Sequence, residues 1–150
     1  MQPNIQLNFM AIGISVVATF IFGFIWYTPL FGKIWGKEMG FEMKEGEKPQ
    51  VSVMIRGMLF NVLGNFLLAF VFSHNIAVWY PETWGQPAIE GTTPGAMAFM
   101  AALFTWLGFY VPVDLNSVAW EGRSWKLFFI NTGYHFLTLL ISALILNYMR

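Results

Sequence analysis

Phe136–Leu146 reads FLTLLISALIL, and Phe66–Phe72 reads FLLAFVF. Neither stretch alternates apolar with polar residues, as a lipid-facing barrel strand does over about ten positions. Both sit inside much longer apolar blocks. Working outward from them gives four blocks: about Ile5–Phe31, Val53–Tyr80, Gly95–Trp120 and Trp125–Met149. Each offers the roughly 20 residues that cross a hydrocarbon core as a helix, with some tilt or overhang. The expectation is an all-α integral membrane protein, with four transmembrane helices forming one bundle and a single domain over residues 1–150.

Composition agrees with this reading. Hydrophobic residues make up 57% of the chain and charged residues 11%, and a soluble domain of this length could not hide so much apolar surface. The first block runs too long for a cleaved signal and has no basic region ahead of it, so it is expected to remain in the mature protein. Net charge is zero, with acids mixed among the bases of the first loop, which argues against a nucleic-acid surface. Membrane lipids are the expected neighbours of those lysines. The absence of cysteine excludes disulfides and thiol chemistry.

Orientation follows from the basic residues near the helix ends. Lys33, Lys37, Lys44, Lys48, Arg56, Arg123 and Lys126 gather on one face, and Arg150 stands alone on the other. The Gly32–Ser52 and Glu121–Ser124 loops are therefore expected in the cytoplasm. Both termini and the Pro81–Pro94 loop are expected on the outer side, and the turn-rich outer loop is read as a flexible connection.

The stretch GFIWYTPLFGKIWGKEMG, Gly23–Gly40, is the cytoplasmic exit of the first helix. Trp26, Tyr27 and Trp35 suit an interfacial aromatic belt, with Lys33 and Lys37 just beyond. Pro29 strains a continuing helix and Gly32 lets the chain bend, so a short interfacial helix is expected over Lys33–Met39. Trp120 and Trp125 belong to the same belt, and Trp79, Tyr80, Trp84 and Tyr148 to the outer one. Trp106 alone falls near mid-membrane.

This stretch, together with WEGRSWKLFFINTGYHFLTLLISALIL at Trp120–Leu146, resembles the bacterial membrane-protein family filed as domain of unknown function 1761. The resemblance covers essentially the whole chain. It implies four transmembrane helices in the bacterial inner membrane and carries no established activity to transfer.

Polar residues inside a membrane are costly unless they pair or face water, so their positions point to helix contacts or to a cavity. Asn131, His135, Thr138 and Ser142 share one face of the fourth helix. Gly57, Asn61, Gly64 and Leu68, with Asn65 beside them, make a stripe on the second. Gly13, Val16, Phe20, Gly23 and Tyr27 do so on the first, and Ala98, Ala101, Thr105, Gly108 and Pro112 on the third. Small residues allow close helix approach, and Asn, Thr and His can hydrogen-bond across it.

Depth draws several of these together. At about 1.5 Å rise per residue, Asp114 lies roughly 9 Å inward from the cytoplasmic end of its helix and His135 roughly 15 Å inward along the fourth. Tyr27, Asn61, Asn65, Asn131 and Tyr134 belong to the same half. His74 sits near the outer end of the second helix. Asp114 follows Pro112, which is expected to kink the helix, and an isolated carboxylate there needs a proton, water or a partner. His135, Arg56 and Tyr134 are its candidate partners.

The candidate ligand-binding residues are thus Asp114, His135, Tyr134, Asn131, Asn61, Asn65 and Tyr27. They either line a polar pocket open to the cytoplasm or form a buried network that fixes helix packing. Enzyme motifs are absent, which points away from catalysis. Two histidines on opposite sides of the bilayer argue against a metal or haem site within one chain, and no cofactor is expected. Alternatives to the pocket are an oligomeric transporter or channel for a small molecule or proton, and an accessory subunit that binds other membrane proteins. A transport route needs more than four helices can enclose, so a homo-oligomer is expected.

Overall fold

The computed structural model describes residues 3–41 and 50–150; Lys44 and Lys48 of the basic loop lie outside them. Helix α1 spans Phe9–Ile25 and continues as a π-helical turn over Trp26–Leu30. The short α2 follows at Gly32–Glu38, then α3 at Val51–Val78. A 3₁₀ turn, Pro81–Trp84, leads toward α4, Pro94–Thr105, which passes through a second π turn, Trp106–Tyr110, into α5, Val111–Glu121. Helix α6 is Trp125–Tyr148. Four helices are long and apolar enough to cross a membrane: Phe9–Leu30, Val51–Val78, Pro94–Glu121 and Trp125–Tyr148.

The ends of these helices have local causes. Asn8 Oδ1 accepts from the backbone N–H of Met10 and Ala11, so the first helix starts at Phe9 rather than at Ile5. Ser124 and Thr93 cap α6 and α4 in the same way. Gly122, at φ 66°, closes α5 in the left-handed conformation, which permits the tight turn into α6.

Both π turns lie beside prolines. Proline removes one backbone donor and crowds the preceding turn, and a wider i→i+5 turn relieves that crowding. Thus Phe31 N–H reaches Trp26 O at 2.9 Å around Pro29, and Val111 N–H bonds Trp106 O just before Pro112. Gly32 is required at the first of these sites, since a Cβ there would lie 2.7 Å from the carbonyl oxygen of Tyr27.

Helix α6 is the hub. It packs on α4, α1, α3 and α5, whereas α3 makes its other main contact with α1. Ala69, Ala98, Ala102 and Ala143 are fully buried along these seams and let the backbones approach. The Oγ atoms of Ser15 and Ser142 lie 2.7 Å apart where α1 crosses α6. Ile12, Phe72, Ile76, Leu139 and Leu146 fill the rest of this core.

The core occupies the half of the bundle nearer the termini. There Asn8 Nδ2–H donates to Met149 O at 2.6 Å, and Tyr80 hydroxyl to Asn147 Oδ1 at 2.6 Å. Thr83 is buried, with its hydroxyl on Ala77 O and its own carbonyl accepting from Asn4 N–H. The Arg150 guanidinium lies 3.6 Å above the Tyr80 ring. The first turn of the Pro81–Pro94 loop is therefore an ordered cap that ties both ends of the chain together, where the sequence favoured a flexible connection.

The other half is more open. All of α3 that is buried lies between Asn65 and Ala77, and residues 51–64 are exposed on every side. The first part of α3 stands away from the bundle and leaves a gap beside α5 and α6.

Three expectations need correction. Trp26 and Tyr27 turn into the bundle rather than only forming a belt, because the π turn directs Trp26 Nε1–H to Ile130 O at 3.1 Å and Tyr27 to Asn131. Trp120, at 87% exposure, and Trp79, at 73%, do face outward. On the first helix Gly13 is exposed, and the buried face is Ala11, Ser15, Thr19 and Gly23. On the third span Gly108 and Pro112 are exposed, while Ala98 and Ala102 are buried and Trp106, Tyr110 and Asp114 reach α6. Steps of four run ahead of the 3.6-residue turn by roughly 40° each, and the wider π turn takes up part of that drift.

Candidate functional site

At the gap beside α3 the structure brings together residues from three spans. Trp106 Nε1–H donates to the carbonyl and hydroxyl oxygens of Thr132 at 2.8 and 2.9 Å, which anchors the π turn on α6. One turn on, the Tyr110 ring packs on the His135 ring with centroids 4.7 Å apart. Asp114, in the first turn of α5, then accepts from His135 Nδ1–H at 2.9 Å. Of its three candidate partners, His135 is the one it meets. Arg56 lies on the exposed first part of α3, and Tyr134 packs elsewhere.

That hydrogen bond has a chemical consequence. Nδ1 is committed to the carboxylate, so Nε2 is the ring nitrogen left for a further partner, as acceptor in the neutral imidazole and as donor in the imidazolium. The His135 side chain is 29% exposed and Asp114 13%, so the pair is sheltered while the ring still reaches open space.

A pocket of about 290 Å³ lies against this ring, lined by Phe60, Asn61, Gly64, Asn65 and Leu68 of α3, Tyr110, and Tyr134, His135 and Thr138 of α6. Asn65 Nδ2–H donates to Asn61 Oδ1 at 2.9 Å, one helical turn apart. Thr138 is buried, and its Oγ1 is the one buried side-chain polar atom without a partner among the described residues. A buried hydroxyl left unpaired costs stability, and because the oxygen is itself buried, Thr138 meets the pocket through its other atoms.

Tyr27, Asn131 and Tyr134 form an adjoining cluster. Tyr27 hydroxyl donates to Asn131 Oδ1 at 3.1 Å, its ring meets Tyr134 edge-on at 4.8 Å, and Tyr134 stacks on Phe22 at 5.7 Å. Gly23 makes room for this, since a Cβ there would lie 2.9 Å from the Tyr134 hydroxyl. Tyr27 and Asn131 hold the Tyr134 wall of the pocket and do not line it. Of the seven residues singled out in the sequence, four line the pocket, and Asp114 acts on it through His135.

Tyr110 and Phe60 were missed. The signal for Tyr110 was its position four residues before Asp114 and four after Trp106. His74 bonds the Phe70 carbonyl through Nδ1 at 2.8 Å, far from this site along α3. No group of three or more potential metal-ligating side chains forms among the described residues.

No curated protein and no solved structure matches this chain. A family model described as "Protein of unknown function (DUF1761)" matches residues 10–147, nearly the whole chain. This coverage, over a chain whose three other long apolar helices pack around α6, identifies it as a member of the DUF1761 family.

Proposed function

We propose that this is a bacterial inner-membrane protein that binds a small ligand in the polar pocket of its cytoplasmic half, with His135 as the recognising side chain. The observation that carries the reading is the Asp114–His135 pair, whose His135 ring lies on the wall of a pocket shared with Asn61 and Asn65. Lys33, Lys37, Arg123 and Lys126 at the pocket end support a cytoplasmic location for it, with both termini outside. The close-packed core across the other half favours a binding pocket over a transport route through one chain.

The two histidines allow a direct test. The protein in lipid nanodiscs is treated with diethyl pyrocarbonate, which acylates unprotonated imidazole nitrogen, and the modified peptides are followed by mass spectrometry. His135 is expected to react alongside His74, and Asp114→Asn to slow its reaction. An inert His135 beside a reactive His74 would show a closed packing network instead.

A further inference from the structure

The mouth of the pocket faces away from the bundle. Phe60 is 66% exposed, and Asn61 and Gly64 beside it are exposed too. They lie roughly 13 to 20 Å along α3 from Val51, well within a hydrocarbon core about 30 Å thick. A mouth at that depth opens onto acyl chains.

The lining residues restrict what can enter. Among the described residues none carries a cationic Lys or Arg side chain, so a phosphate head group would find no counter-charge from them. Hydrogen-bonding capacity of both kinds is present: His135 Nε2 accepts in the neutral imidazole, and the Asn61 amide nitrogen, left over from the Asn65 contact, donates. Phe60, Tyr110 and Tyr134 supply aromatic walls. An apolar cavity of about 150 Å³ holds one benzene, so about 290 Å³ holds a single substituted ring and leaves a long tail outside.

Building on the ligand-pocket reading, we infer that the ligand enters sideways from the bilayer and is a neutral, lipid-dissolved compound whose one hydroxylated ring passes Asn61 and Gly64 to reach His135. Its tail stays among the acyl chains. The exposed first part of α3 is the side of that entrance, and the gap between α3 and α6 is its path.

The test uses the full chain in lipid nanodiscs with 4-nonylphenol as probe and 4-nonylanisole, its O-methyl counterpart without a hydroxyl, as control. The readout is protection of His135 from diethyl pyrocarbonate, with His74 as internal reference. 4-Nonylphenol is expected to protect at concentrations about tenfold below those needed by the anisole, the worth of one hydrogen bond. Gly64→Leu, whose Cβ meets nothing within 4 Å, should fold normally and abolish protection by filling the mouth.

Equal protection by phenol and anisole, or full protection in Gly64→Leu, would overturn the inference. A reactive His135 that neither compound protects would overturn it while leaving the pocket standing. A His135 inert without any probe would remove the pocket reading itself.

Discussion

Asp114 Oδ2 lies 2.9 Å from His135 Nδ1, joining the first turn of α5 to the middle of α6. This contact forms only because the π turn at Trp106–Tyr110 and the Trp106–Thr132 bonds set the rotation of the third span. Asp114→Asn preserves the shape of the side chain and weakens a hydrogen bond made by a charged acceptor. It should lower unfolding free energy by about 1 kcal/mol, read from thermal or denaturant unfolding in detergent, with Asp114→Ala costing more.

The Ser15–Ser142 contact is a fully buried pair between α1 and α6. Hydrogen bonds between membrane helices couple by about 0.6 kcal/mol on average, and a double-mutant cycle of Ser15→Ala and Ser142→Ala should return a value of that order. Ser15→Leu should be far worse than either, because the two backbones approach too closely for it.

Gly32→Ala should cost about 1–3 kcal/mol, measured as a fall in thermal midpoint. The added methyl meets the Tyr27 carbonyl oxygen, and backbone must move to relieve it. Gly36→Ala, with open space at its Cβ, serves as control and should change little.

Thr138→Val replaces an unpartnered buried hydroxyl with a methyl of similar shape. Without ligand the variant should be more stable than the native chain by about 1 kcal/mol. Lower stability would mean that the hydroxyl has a structural partner.

Much of the fold could be read from the chain. Block length placed all four spans to within a few residues, and Pro29 with Gly32 marked the bend and the short helix after it. The gathering of Asp114, His135, Tyr134, Asn61 and Asn65 at one depth was also legible, because polar groups in an apolar helix carry a position even without a structure. Rotation was not. A stripe assigned at 3.6 residues per turn fails once proline inserts a wider turn, which is why Gly108 and Pro112 were placed on the contact face and Tyr110 was overlooked. Nor could the sequence show that the Gly57–Leu68 stripe meets the bundle only toward its far end; small residues at helical spacing read the same whether or not a neighbour covers them.

The central place of α6 bears on how the molecule is made. Every other long helix docks on it, yet it is the last of the four in chain order, so three helices are synthesised before their common partner exists. Helices α1 and α3 can pair at once, whereas α4 finds most of its contacts only later. The seams that α6 makes, the Ser15–Ser142 contact among them, can therefore close only after the other three helices have been made.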